Sequence, residues 1–95
     1  MAHFAIIAHD KPGALALRVA TRPAHLEYLG ARAGFIRLAG PMMNEAGEPI
    51  GSLFLVEAPD IAAVRAFAAA DPYAVAGLFE RVEITPWRAV VGTLP

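Results

Sequence analysis

Four consecutive residues, Leu53-Phe54-Leu55-Val56, are apolar within a stretch, Ile50 to Ala58, that reads as a β-strand. Side chains alternate across a strand, so this strand carries apolar groups on both faces. The first strand, His3 to His9, does nearly the same: Phe4, Ile6 and Ala8 lie on one face, and His3, Ala5, Ile7 and His9 on the other. An antiparallel sheet with one wet face alternates apolar with polar residues, and these strands do not. A chain of 95 residues has room for one domain, residues 1–95. Its helices can cover only one face of a sheet. The other face needs a partner, and the simplest is an identical sheet related by a two-fold axis. The composition, 57% hydrophobic and 18% charged, points the same way. A domain this small buries only about 60–65% of its unfolded surface, and pairing buries more. A homodimer joined through its sheet faces is therefore expected.

The first strand ends in turn chemistry at Asp10-Lys11-Pro12-Gly13. Residues 14–20 favour helix, but Pro23 is expected to interrupt it, because a proline ring clashes with the carbonyl four residues back. The expectation is a short helical turn and then a fresh helix with Pro23 in its first turn. Thr21 or Arg22 would cap that helix, Leu26, Leu29 and Ala33 would face inward, and Gly34 would stop it. Phe35 to Met42 is the second strand, joined by a hairpin loop to the third, Ile50 to Ala58. Asp60 caps a second helix whose stripe is Ile61, Val64, Phe67 and Ala68, and Asp71-Pro72 breaks it. After a short helical or looped connection from Tyr73 to Gly77, Leu78 to Thr85 is the fourth strand. Trp87 to Val91 is expected to extend it after a break at Pro86. The order β-α-β-β-α-β is the split form of the ferredoxin-like fold, an α+β domain with two helices on one face of a four-stranded antiparallel sheet.

Several functions are disfavoured. Eight Lys and Arg against nine Asp and Glu give a net charge of −1, which argues against a dedicated nucleic-acid binder. No cysteine means no disulfide, thiolate metal site or thiol nucleophile. No metal is expected, because His3, His9 and His25 do not have metal-ligand spacing. No cofactor is expected either, since no glycine-rich phosphate loop is present. Ser52, the only serine, lies outside any nucleophile elbow. No membrane span and no signal peptide are expected, and hence a cytoplasmic location.

The chemistry-bearing residues cluster around Arg22-Pro23-Ala24-His25. A neutral imidazole accepts a proton near pH 7, as a general base must. At the start of a fresh helix, the dipole would oppose charging of His25. Arg18, Arg22 and His25 stand at i, i+4 and i+7, on one face if the helical path is continuous. Two guanidiniums and an imidazole suit a carboxylate or enolate. The plainer alternative is a surface group pairing with Glu27 or water. Asp71 before Pro72 is an ordinary helix cap, or a carboxylate that fixes the tautomer of His25, as in triad-type sites. Tyr73 either donates a phenolic proton or packs. Gly40-Pro41 either lets backbone approach a ligand or is a plain turn. His3 and His9 read as strand-end residues.

Asp10-Lys11-Pro12-Gly13, Leu17-Arg18, Arg22-Pro23-Ala24-His25-Leu26, Ala39-Gly40-Pro41-Met42, Ala70-Asp71-Pro72-Tyr73 and Val82-Glu83-Ile84-Thr85-Pro86-Trp87 together resemble the YciI-like, or YCII-related, proteins over essentially the whole chain. The resemblance implies a dimeric α+β barrel. It also implies a His–Asp pair as active site, here His25 and Asp71. It brings in relatives that include a dehydrochlorinase of chloroaromatic breakdown and, more widely, muconolactone isomerases and small monooxygenases. Two functions follow as expectations. One is a small cofactor-independent lyase or isomerase acting on a small, anionic molecule, with His25 and Asp71 moving the proton and Arg18, Arg22, Gly40, Pro41 and Tyr73 binding substrate. The other is a non-catalytic dimeric module or accessory subunit that binds a small metabolite in the same pocket.

Overall fold

The computed structural model describes residues 1–94. Its elements are β1 (Ala2–Asp10), α1 (Leu15–Gly30), β2 (Ile36–Met43), β3 (Pro49–Ala58), α2 (Ile61–Ala70), α3 (Pro72–Val75) and β4 (Phe79–Trp87). The strands form one sheet in the order β2-β3-β1-β4, and every neighbouring pair is antiparallel. This is the expected α+β, ferredoxin-like topology. Phe4, Ile6, Phe54 and Val56 form the inner face of the central strands, and Val64 and Phe67 of α2 and Tyr28 and Leu29 of α1 pack on it. Asp60 caps α2 as expected, accepting a hydrogen bond from the Ala63 N–H at 2.9 Å.

The helix break expected at Pro23 does not occur. Helix α1 runs unbroken through Pro23. Pro23 and Val19, the residue four back, are both exposed, so water can take the carbonyl that proline leaves without a donor. The helix also stops earlier than expected, at Gly30, with a turn from 31 to 35. The inward face changes accordingly. Leu26 is 57% exposed and Ala33 is exposed, while the buried residues of α1 are Arg18 and His25. Tyr28 and Leu29 pack α1 on the core near its C-terminal end, while the buried Arg18 and His25 are polar groups that core packing does not call for.

The second correction concerns β4, which passes through Pro86 rather than breaking there, with Pro86 opposite Phe4. An edge strand tolerates a proline because its outer side has no ladder partner. The expected extension to Val91 is absent: residues 88–91 are not strand, and Val90 and Val91 are exposed.

The outer face of the sheet carries Ala5, Ile7, Leu38, Leu53, Leu55 and Trp87, by the alternation of the ladder. Polar His–Glu contacts flank it, with His3 Nε2 3.3 Å from Glu57 and His9 Nε2 3.1 Å from Glu83. No helix among the described residues is long and apolar enough to cross a membrane.

Candidate active site

Because α1 is continuous, Arg18, Arg22 and His25 fall on one face at i, i+4 and i+7. All three line one cavity of about 360 Å³ between α1 and the inner faces of β2 and β3, with Tyr73 of α3 in its wall. His25 is ten residues past Leu15, deep in the helix. The helix-dipole argument for His25 therefore lapses, since that field fades within the first turn.

His25 Nδ1 lies 2.8 Å from Asp71 Oδ1, with both side chains buried. The same oxygen accepts the Tyr73 N–H at 2.9 Å. Capping α3 and orienting His25, alternatives on the sequence, are thus compatible tasks of one carboxylate oxygen. A carboxylate only accepts, so Nδ1 donates, and in the neutral ring Nε2 carries the lone pair. Nε2 has no hydrogen-bond partner among the described residues, and the ring borders the cavity.

Local sequence explains why Asp71 is held still. Pro72 occupies the first helical position of α3, where its missing N–H costs nothing. Gly77, at φ 77°, ends the unit in a left-handed conformation. The Gly77 N–H donates to Ala74 O and the Leu78 N–H to Tyr73 O, each at 3.0 Å, which is the Schellman closure. The buried Leu78 pins it to the core.

The His25 ring stacks on Tyr73 with centroids 3.9 Å apart and meets the edge of Phe54 at 6.0 Å. The Arg18 guanidinium also lies over the Tyr73 ring, 4.6 Å from its centroid. Arg18 is 3% exposed and clamped by Asp10, Nε to Oδ2 at 2.6 Å and Nη2 to Oδ1 at 2.9 Å. Nη2 also donates to Ser52 Oγ at 2.9 Å. Burial opposes the charge on Arg18, but the Asp10 carboxylate together with Tyr73 outweighs it and holds the guanidinium above its ordinary pKa. Arg22, by contrast, is exposed at the cavity edge.

The cavity gathers Arg18, Arg22, His25, Gly40, Pro41 and Tyr73, with Asp71 behind His25. Leu26, Leu29, Ala39 and Phe54 supply apolar walls. A few polar groups in an apolar hollow of this size fit a small-molecule site. The sequence reading missed Asp10 as the partner of Arg18, and Ser52. Asp10 had no local signal, since its partner sits on another element. Ser52 had one: it shares a strand face with Phe54 and Val56, and a polar residue on a core face is informative. His3 and His9 stay outside this cavity. A larger depression of about 570 Å³ lies by His9, Lys11 and the β2–β3 hairpin, away from His25. No group of three or more His, Asp or Glu side chains among the described residues is placed to hold a metal ion.

Comparison with known proteins gives a consistent result. A family model described as the YCII-related domain matches residues 2–88. Protein YciI of Escherichia coli O6:H1 strain CFT073 is 37% identical over 95 residues, covering 92% of this chain and 97% of the relative. Among solved structures, 5-chloro-2-hydroxyhydroquinone dehydrochlorinase (TftG) from Burkholderia phenoliruptrix AC1100, in complex with 2,5-dihydroxybenzoquinone, superposes with a TM-score of 0.87. It is 31% identical, over 90% of this chain and 93% of that one. An antibiotic biosynthesis monooxygenase shares the fold alone, with a TM-score of 0.56 and 15% identity over 96% of this chain and all of the other.

Proposed function

The chain belongs to the YCII-related domain family, and from that premise we propose that it is a small cofactor-independent lyase or isomerase that moves a proton on a single-ring, oxygen-bearing, anionic substrate. The observation that carries this reading is the buried 2.8 Å contact of His25 Nδ1 with Asp71, which leaves Nε2 as the basic atom beside a ring-sized cavity. The substrate class is supported by TftG, whose substrate and bound ligand are both oxygenated six-membered rings. In the proposed reaction Nε2 takes a proton from a substrate hydroxyl, or from a carbon made acidic by a neighbouring carbonyl. The electron pair left behind forms a new C=O or C=C bond. In a lyase it expels a leaving group, chloride in a dehydrochlorination; in an isomerase a proton returns at another carbon. Asp71 stabilises the imidazolium between these steps, and water then takes its proton. Arg22 holds negative charge at the cavity edge, while Arg18 and Tyr73 brace the His25 ring.

The test is incubation of the protein with 5-chloro-2-hydroxyhydroquinone and with unchlorinated hydroxyhydroquinone in D₂O. Chloride release from the first, or enhanced deuterium exchange into ring positions of either, is expected. Neither rising above buffer would overturn the reading.

The protein also works as a homodimer in this proposal. An apolar sheet centre rimmed by polar His–Glu contacts has the anatomy of an interface. Light scattering is expected to give twice the chain mass of 10.0 kDa. Leu53→Lys, at the centre of that face, should shift the mass to the single-chain value. A wild-type chain that stays single at micromolar concentration would contradict the pairing.

A further inference from the structure

We propose that pairing of the two sheet faces is proton-linked: the homodimer takes up a proton at His3 of each protomer, tightens as pH falls, and loosens as pH rises through the range in which histidine titrates. This rests on the homodimer reading above and adds to it the group that controls it.

The outer face is apolar at its centre and ionisable at its ends. Alternation along the ladder puts His3 and His9 of β1, Glu57 of β3, and Arg81 and Glu83 of β4 on that face. His3 stands directly opposite Glu57, Nε2 to Oε2 at 3.3 Å, with Trp87 opposite on its other side. His9 stands between Gly51, which has no side chain, and Arg81, and its Nε2 lies 3.1 Å from Glu83. Arg81 Nε is 3.4 Å from the same Glu83 oxygen. Glu83 therefore has a permanent cation, whereas no Lys or Arg among the described residues pairs with Glu57. The only charged residue of β2 is Arg37, at the register shift between Ile36 and Leu38, and its Nε has no partner among the described residues. The depression beside His3 also holds Met1 and the exposed Arg88. The one beside His9 holds Lys11, Glu48 and Glu80, with Asp10 committed to Arg18.

Between about pH 6 and pH 8 a carboxylate is ionised, and histidine is the side chain that changes charge. In a single protomer the His3 and Glu57 side chains keep 29% and 27% of their exposure, so water screens the carboxylate. Pairing of the faces removes that water, and a carboxylate taken out of water without a cation is costly. Protonated His3 supplies the cation. Arg81 already balances one of the two glutamates of the face, and a proton on His3 balances the other. His9 need not charge, and Arg81, directly opposite, opposes its charging. The paired state therefore binds more protons than two free chains do. Stabilisation that depends on a bound proton is full at low pH and is lost as pH rises through the histidine range.

Fluorescence-detected sedimentation of the labelled whole chain, from picomolar to micromolar, at about pH 6 and about pH 8 and constant ionic strength, tests this. The dimer dissociation constant is expected to be about tenfold to a hundredfold larger at the higher pH, the result of roughly tenfold stronger proton binding at each of two histidines. His3→Gln should be as weak at the lower pH as the wild type is at the higher, and should differ less than about threefold between the two. His9→Gln should keep most of the wild-type dependence. Glu57→Gln should reverse the sign: with no carboxylate to match, a proton on His3 opposes pairing, so this dimer tightens as pH rises and at the higher pH is tighter than the wild type. A His3–Glu57 contact that only packs would weaken the dimer in both variants at both pH values. That result, or a wild-type constant equal at the two pH values, overturns the proposal and leaves the homodimer standing. A dependence kept by His3→Gln and lost in His9→Gln overturns it as well. If the wild type stays a single chain at micromolar concentration at both pH values, this proposal and the homodimer reading fall together.

Discussion

His25→Gln is expected to lower turnover by two to four orders of magnitude, the usual worth of a positioned general base. Glutamine is long enough for its amide N–H to reach Asp71, so the buried carboxylate keeps a donor. The melting midpoint should therefore fall only modestly. A loss of activity with the fold retained separates chemistry from scaffolding. His25→Ala is the less informative variant, because it leaves Asp71 without its imidazole and opens a gap between Tyr73 and Phe54. Stability and activity would then fall together. Undiminished chloride release or deuterium exchange by His25→Gln would remove His25 from the reaction.

Asp71 is expected to separate charge from position when changed in two ways. Its Oδ1 accepts from both the Tyr73 N–H and His25 Nδ1. In Asp71→Asn the Tyr73 N–H selects the amide oxygen for that place, so the oxygen can go on accepting from Nδ1 and the tautomer is preserved. Only the negative charge that stabilises an imidazolium is lost. Turnover should drop about tenfold to a hundredfold, with little change in melting midpoint. Asp71→Ala removes the cap as well, which costs about 0.5–2 kcal/mol, and frees the ring to turn. Its activity should fall on the order of 10²–10⁴-fold. If the asparagine variant proved as inactive as the alanine variant, the shared oxygen would not be fixing the ring as described.

The sequence reached the fold because its signals were local and agreed with one another. The inward stripe of α2, the Asp60 cap and the alternation of Phe4, Ile6 and Ala8 each specify an element without help from elsewhere. Pro23 misled because its penalty depends on whether the freed carbonyl is wet, which is decided by where the helix sits. The same error left the most useful fact about α1 conditional: the uninterrupted helix brings Arg18, Arg22 and His25 onto one cavity wall. Asp71 was legible as a cap from Pro72 alone, but its meeting with His25 spans 46 positions and only tertiary packing makes it. Asp10 went unread because it is defined by its partner, the guanidinium of Arg18, whereas Ser52 left a local mark, a hydroxyl on the strand face of Phe54 and Val56.

The account turns on which nitrogen of His25 carries the proton. Nitrogen-15 NMR of the neutral ring reads this directly and needs no substrate. The prediction is an Nδ1 with the shielded resonance of a protonated ring nitrogen, its proton held on Asp71, and an Nε2 with the shift of a bare lone pair. A ring found protonated at Nε2, with Nδ1 bare, would contradict it, because the atom facing the cavity would then have no means of taking a proton.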